Sequence, residues 1–389
     1  MTRVWILLLS LLALPSIGAA QEEGDLGKGC KLCSLEGVKD CKRHGDRWLA
    51  AESEVLYCSV AAVCKDCSGA LLVDCKRCDG GPGNVELEKR ELRVQRLGED
   101  VTPAQKLFER DLVRVITPHF DIIIDAHKLK DGSKRMDAHE VAHALAREAE
   151  LAADMLDAHL GAKLHHYSRR ARIWFWGDQK DHQLVNREVL GTNDPGAFKL
   201  FGPDPAYSCW TGEEGIKNAA MAVVSNGVHI SIHLLMSNVF RTEWIGNKKA
   251  GWFDVGAAHW YEEQLFRRVS TYCIDEADAR LDYEDGQWRT AMRKYLMKNK
   301  QALLPPLVQK ISGTLWGEEH ALGWSLYDWI VATKPEAIKP FLIGFKNREL
   351  ARDLFRKNLE MTIPQAEQAW RDWVRATYPV KDPKPRKKL

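Results

Sequence analysis

The chain has 389 residues, of which 45% are hydrophobic and 28% are charged. This composition excludes a wholly disordered or fibrous protein and allows one large or two medium globular domains. Lys and Arg total 56 against 54 Asp and Glu, which gives a net charge of +2 and excludes the strong basic field that attracts nucleic acid.

The first 20 residues have the pattern of an export signal. Arg3 precedes an apolar run over residues 4–14, and small residues at 18–20 suit cleavage before Gln21. The apolar run is too short to span a bilayer, and no later segment approaches about 20 consecutive apolar residues. We therefore expect an exported protein, periplasmic or extracellular, without a transmembrane span.

A duplicated cysteine frame lies in the next segment, residues 21–84. Residues 30–44 and 64–78 are identical at eight of 15 aligned positions, and each copy has a C-x-x-C pair followed by a second pair. In the first copy His44 replaces the last cysteine, an exchange that a tetrahedral zinc site accepts and a disulfide does not. The frame predicts about two zinc ions, with these ligands: Cys30, Cys33, Cys41, His44, Cys64, Cys67, Cys75 and Cys78.

The frame leaves the arrangement of these ligands open. Either each copy closes its own site, or the outer pairs (30/33 with 75/78) share one ion and the inner pairs share the other. The second arrangement resembles the cysteine-rich zinc domain of DnaJ-type chaperones, on the C-x-x-C-x-G unit at 75–80. A disulfide framework is the alternative, since exported proteins fold in an oxidising compartment. Three further cysteines have no assigned partner: Cys58, Cys209 and Cys273.

The rest of the chain predicts an α+β domain at residues 116–378, because strands come first and helices afterwards. Residues 85–115 form a linker, with a helix starting at Thr102–Pro103, and the basic residues 379–389 form a solvated, disordered tail. Strands are predicted over 116–125 and 171–178. Helices are predicted over 137–160, 180–190, 228–240, 252–268, 287–299, 318–334, 336–345, 347–358 and 364–377.

An H-E-x-x-H motif lies at residues 139–143. Histidines four residues apart share one helix face, as a zinc ion requires, and the intervening Glu140 is then the general base of a metallopeptidase. Asp137 and Glu140 also form a capping-box sequence, which gives this glutamate a structural role. The histidines lie opposite the apolar stripe that begins at Val141, on a face that continues with charged residues, so we expect that face to be solvated.

A second pair, His229 and His233, has the same spacing in an apolar helix and lacks the glutamate. Residues 251–263, GWFDVGAAHWYEE, begin 18 residues after His233. These two segments, with the strand–helix–strand order before them, resemble the core of the peptidase MA-like gluzincins. The resemblance covers residues 116–378 and implies a zincin-like domain with a short mixed sheet and a mainly helical C-terminal half.

The chain departs from this family at the residues that carry its chemistry. The resemblance places the zinc-binding histidines on His229 and His233, the catalytic glutamate on Ile230 and the third ligand on Val255. Neither apolar side chain binds zinc or deprotonates a metal-bound water. His259, one turn beyond Val255, is the candidate third ligand of this vestigial site.

Three functional hypotheses follow. The leading one is an exported, catalytically inactive peptidase MA-like protein that acts as a scaffold and binds an unidentified protein or peptide. The second is an active zinc endopeptidase that uses His139, Glu140 and His143. The third is a structural envelope protein without a ligand cleft.

Overall fold

The computed structural model describes residues 33–34, 36–43, 55–77, 81–213, 216–271, 283–381, 383–387 and 389. The predicted export signal lies outside these residues. So do four of the residues singled out above: Cys30, His44, Cys78 and Cys273.

The strands among these residues form one mixed sheet and two small antiparallel ones. The strands are β1 (Val38–Asp40), β2 (Tyr57–Cys58), β3 (Leu72–Asp74), β4 (Val113–Ile116), β5 (Phe120–Asp125), β6 (Leu129–Asp131), β7 (Lys134–Met136), β8 (Ala171–Trp176), β9 (Phe198–Leu200) and β10 (Ala206–Trp210). The six-stranded sheet has the order β2-β4-β5-β8-β10-β9. β8 is parallel to both β5 and β10, and the other neighbours are antiparallel.

The helices follow the sheet in the second half of the chain, as the α+β prediction requires. They are α1 (Ser59–Ala62), α2 (Pro82–Glu99), α3 (Ala138–Leu160), α4 (Gln179–Glu188), α5 (Ala220–Asn238), α6 (Gly251–Phe266), α7 (Trp288–Lys298), α8 (Leu304–Leu307), α9 (Gly317–Thr333), α10 (Ile338–Lys346), α11 (Ala351–Leu359) and α12 (Ile363–Thr377). The predicted order of strand, long helix, strand and histidine-bearing helix is confirmed for β5, α3, β8 and α5.

Helices cover both faces of the mixed sheet. α3 and α5 pack on one face, while α4 and residues 104–112 cover the other. In β5, Ile122 and Ile124 therefore point into one core and Ile123 into the other. This explains why the sequence of β5 is apolar without alternation.

Three helices stack in series away from the sheet: α5 packs on α6, and α6 packs on α9. Two glycines allow the close approach of α6 and α9. A Cβ atom on Gly256 would lie 2.5 Å from the carbonyl oxygen of Gly323, and one on Gly323 would lie 2.8 Å from the carbonyl oxygen of Trp252. The two helix backbones are therefore in direct contact.

α5 is the one helix of the described residues that is long and apolar enough to cross a membrane by length and composition. Its apolar window is 83% buried inside the protein. It begins at Ala220, eight residues before the predicted start at residue 228. Gly227 allows this extension to pack, since a Cβ there would lie 2.4 Å from Cδ1 of Leu145 on α3.

The region between the cysteine frame and the sheet differs from its prediction. α2 occupies residues 82–99, and Thr102–Pro103 leads only into a 3-10 turn at Gln105–Leu107. Pro82 suits the first turn of a helix, and α2 buries Leu87, Val94 and Leu97 in spite of its high charge.

Two contacts tie the flanking segments to the large domain. β2 lies within the cysteine-rich segment, yet Cys58 pairs with Val115 at the edge of the mixed sheet. At the other end of the chain, Arg386 forms an ion pair with Glu148 on α3, and its guanidinium lies over the ring of Phe266.

Candidate metal centres

Three groups of side chains in the described residues have ligand atoms within 4.8 Å of one another. The groups are Cys41/Cys64/Cys67, Cys58/His139/His143 and His229/His259/Glu262. Each group joins residues from separate elements of the fold.

The first group joins the described members of the two inner pairs, Cys41 with Cys64 and Cys67. β1 and β3 are antiparallel, with Val38 opposite Asp74. Cys41 and Leu71 therefore lie at one end of this ladder, where the backbone N–H of Cys41 donates to the carbonyl of Leu71 at 2.8 Å. Cys75 lies at the other end, where its N–H donates to the carbonyl of Gly37. Cys41 and Cys75 are thus separated by the length of the strands.

The chemistry of this group suits a metal ion. Burial by itself raises the pKa of the Cys64 thiol, but hydrogen bonds from the backbone N–H groups of Asp66 and Cys67 stabilise its thiolate, and the net pKa is lowered. The thiolate is the form that binds zinc. The sulfur atoms of Cys41, Cys64 and Cys67 lie within 4.8 Å of one another. A disulfide joins only two sulfur atoms, whereas a metal ion can bind all three.

The second group contains the histidines of the H-E-x-x-H motif, at the start of α3. The capping box is present, since Glu140 N–H donates to the Asp137 carboxylate at 2.9 Å and Asp137 N–H donates to the Glu140 carboxylate at 3.0 Å. Glu140 is exposed and its carboxylate is held at the helix start. Cys58 Sγ lies 3.2 Å from His139 Nε2. The sequence did not assign this cysteine to any site.

The prediction of a solvated face on α3 is right for Asp154, which is exposed, but wrong for two other residues of that face. His143 is only 8% exposed, and Glu150 is 4% exposed. Glu150 accepts hydrogen bonds from the backbone N–H of His119 at 2.9 Å and pairs with His119 Nδ1 at 2.7 Å. Asp157 accepts the hydroxyl of Tyr167 at 2.5 Å and lies 3.6 Å from His119 Nε2. The turn between β4 and β5 covers these charged side chains. The residue pattern of α3 alone does not reveal that this turn packs against it.

His119 makes the stability of this network dependent on pH. Burial lowers the pKa of His119, but the Asp157 and Glu150 carboxylates outweigh it and raise the pKa to about 9. This pKa lies above the value of about 6.5 that His119 has in the unfolded chain. The network therefore stabilises the fold fully below about pH 6.5, and this stabilisation is lost as the pH rises through about 9. We expect the stability difference between wild type and His119→Gln, measured by urea unfolding, to shrink by about 2 kcal/mol between those limits. A difference that is constant with pH would contradict this assignment.

The third group lies between α5 and α6 and contains two residues of the predicted vestigial site, His229 and His259; the third, His233, lies beside His229. His229, His233 and His259 are all fully buried, at 0% exposure. His229 Nδ1 lies 3.2 Å from Glu262 Oε2, and His233 Nδ1 lies 3.1 Å from Asp254 Oδ2. The two Nε2 atoms face each other at 3.3 Å.

Each imidazole of this pair has a carboxylate on its Nδ1 side and the other imidazole on its Nε2 side. Two ligands of one tetrahedral zinc lie about 3.3 Å apart, and a carboxylate behind each imidazole is a common outer partner of zinc-bound histidine.

Glu262 anchors this group to the segment that follows α6. Its Oε1 accepts the backbone N–H and the hydroxyl of both Ser270 and Thr271, at 2.8 to 3.1 Å. Burial by itself raises the pKa of Glu262, but His229 and His259 lower it overall, so the carboxylate is ionised. His259 Nε2 in turn contacts His320 Nδ1 on α9 at 3.0 Å.

The residues fit a hydrolytic zinc centre only in part. Two imidazoles converge, but Ile230 and Val255 stand where the family resemblance places the base and the third ligand, and both are 0% exposed. Glu262 Oε2 lies against the Nδ1 side of His229, away from the facing Nε2 atoms. Within the described residues, the two carboxylates that contact this pair, Glu262 and Asp254, lie on its Nδ1 sides, and both rings are fully buried.

Two partners in this group were missed from the sequence. Asp254 also accepts the indole N–H of Trp244 at 2.8 Å, and His320 contacts His259. Asp254 is a polar residue within an apolar helical run, whereas His320 follows Glu318 and Glu319 in the first turns of α9. A buried polar side chain requires a partner, so this pattern signals a network but does not identify its members.

No family model matches the sequence, and no curated protein matches it. Among solved structures, the chain is similar to a mutant of a two-domain M1 zinc metallopeptidase bound to L-arginine, with a TM-score of 0.32 and 14% sequence identity. The alignment covers 70% of this chain and 51% of that chain, so the chain spans about half the length of that structure.

Proposed function

We propose that this chain is an exported, zincin-like protein without peptidase activity, which binds a protein or peptide partner and holds about two structural zinc ions in its cysteine-rich segment. The observation that carries the proposal is the buried His229–His233 pair, with apolar Ile230 and Val255 beside it. A catalytic zinc keeps one position open for water and needs a base to deprotonate that water.

The burial of the pair supports a structural role. His229 and Glu262 join α5 to α6, and His259 with His320 joins α6 to α9. Such a network fixes the relative positions of three helices, whether the facing histidines share a proton or a metal ion.

The endopeptidase alternative at residues 139–143 has less support. Glu140, its general base, is held in the capping box at the start of α3. An acidic side chain in contact with both histidines would favour this alternative, but the side chain that approaches them is that of Cys58.

A proteolysis assay tests the absence of activity. We expect purified protein not to cleave casein or generic peptides above a zinc-free control, with or without added zinc. Loss of the base or of a ligand lowers a metallopeptidase rate by orders of magnitude. Chelator-sensitive cleavage that disappears in His229→Ala would overturn the proposal. Cleavage that disappears in His139→Ala and persists in His229→Ala would assign the activity to the H-E-x-x-H motif at residues 139–143.

A double variant tests whether the scaffold is zincin-like. Ile230→Glu with Val255→Glu restores the two family carboxylates, and zinc is expected to raise its melting temperature. The matched control is Ile232→Glu with Val255→Glu, since Ile232 is equally buried at 0% exposure and lies on another face of α5. Equal responses of both variants to zinc would contradict the alignment with the gluzincins.

A pocket of about 500 Å³ beside β2 offers a surface for the partner. It is lined by Tyr57, Val60 and Leu112 among others, and Val63 at its rim is 81% exposed. Exposed apolar surface of this kind marks interaction sites.

Peptides selected from a displayed library are expected to bind wild type and to lose binding to Val63→Asp. Val85→Asp is the control, because Val85 is 56% exposed outside the pocket; equal loss in both would exclude this pocket.

A further inference from the structure

We infer that Cys58, His139 and His143 together bind one zinc ion, separate from the ions of the duplicated cysteine frame and from the buried histidine network. The H-E-x-x-H motif supplies the two imidazoles, and the third ligand is a cysteine 81 residues earlier in the chain.

The distances support a common ion. The three ligand atoms lie within 4.8 Å of one another, with Cys58 Sγ 3.2 Å from His139 Nε2. The two imidazole rings have a centroid separation of 4.7 Å. In a tetrahedral site with Zn–S of about 2.3 Å and Zn–N of about 2.0 Å, sulfur and nitrogen ligands lie about 3.5 Å apart. The distance between Cys58 and His139 is already close to this value, and the ligand atom of His143 lies within 4.8 Å of both.

The surrounding fold holds the ligands in place. Cys58 is fixed by the pairing of β2 with β4, and the histidines lie in the first turns of α3, which the capping box secures. Cys58 is 1% exposed and His143 is 8% exposed, whereas His139 is partly exposed. A fourth ligand such as water can therefore reach the ion from the side of His139.

The ligand types identify the class of metal. One thiolate and two imidazoles suit zinc or another borderline-soft ion, while magnesium and calcium take oxygen ligands. Because Glu140 caps the helix, we assign the ion a binding role without hydrolysis. It would fasten β2, and with it the cysteine-rich segment, to α3.

A simple hydrogen bond between Cys58 and His139 is the competing explanation. It accounts for the 3.2 Å contact, but it gives no role to His143 at the same point. A variant at His143 therefore distinguishes a metal site from a hydrogen bond.

The experiment compares full-length wild type with Cys58→Ser and His143→Gln. After exchange into a mild chelator, we expect both variants to retain about one zinc ion fewer per chain by elemental analysis. Cys209→Ser is the matched control, because Cys209 is also 1% exposed and belongs to none of the three groups; it should keep the wild-type zinc content. Unchanged zinc in Cys58→Ser, or loss only in that variant and not in His143→Gln, would overturn the site.

A second measurement needs only wild type, in case the variants do not fold. Zinc is expected to slow alkylation of Cys58 by iodoacetamide at least about tenfold, as read from peptide mass spectrometry. Equal alkylation of wild-type Cys58 with and without zinc would refute the proposal.

Discussion

Replacing Glu262 with alanine is expected to prevent stable folding of the large domain at 37 °C. The carboxylate is fully buried and accepts hydrogen bonds from Ser270, Thr271 and His229. Ser270 is exposed and can bond to water instead, but the donors of Thr271 and His229 are buried. Each buried donor left without an acceptor costs about 1 to 3 kcal/mol, so these three donors cost an amount comparable with the 5 to 15 kcal/mol by which a domain is typically stable. The soluble yield and the thermal unfolding of the purified variant measure the effect.

Two controls separate this effect from general damage to α6. Glu262→Gln keeps one oxygen acceptor and nearly the same volume, so its melting temperature should lie between those of wild type and the alanine variant. Gln264→Ala changes an exposed residue of the same helix and should melt as wild type does. If Glu262→Ala melted within about 2 °C of wild type, the network would not stabilise the domain.

The second large effect is expected from the cysteine frame. Structural zinc contributes about 10 to 16 kcal/mol of apparent binding free energy in small zinc domains. Cys41→Ser and Cys64→Ser should each release zinc to a mild chelator and speed hydrogen exchange in β1 and β3. Under the disulfide alternative, wild type would contain almost no zinc, and mass spectrometry without reductant would show oxidised cysteines.

The double variant Cys41→Ser/Cys64→Ser distinguishes the two metal arrangements. If the inner pairs share one ion, as the convergence of these sulfurs supports, both changes affect the same site. The double variant should then lose no more zinc than either single variant. If each copy closes its own site, the double variant should lose about twice as much.

Local sequence patterns predicted most of the longer helices and the strands β5 and β8, but not α2 or most of the short strands, and the single strand predicted over 116–125 is divided between β4 and β5. The periodicity of α3 and the apolar character of α5 follow from residues close together in the chain, and the capping box of Asp137 and Glu140 is present as expected. The placement of His229 and His233 on a buried helix also follows from the apolar residues around them. Signals of this kind depend on spacing alone.

The contacts that build the sites were not predictable in the same way. β2 has only two residues, too few for an alternating pattern, yet it brings Cys58 to His139 across 81 positions. Glu150 appeared solvated because its partner, His119, lies in a turn before the helix. In both cases the residue that makes the contact is distant in the chain. The periodicity of one helix or strand does not reveal which segment packs against it.

The close contact of α6 and α9 at two glycines limits which related sequences can keep the contact between His259 and His320. Gly256 and Gly323 each face backbone atoms of the opposite helix, so a larger residue at one position is not compensated by a smaller one at the other. Either change pushes the helices apart and lengthens the 3.0 Å contact between His259 and His320. The two glycines thus act as a spacer of fixed width, and a homologue that lost either one would have to rebuild its imidazole network.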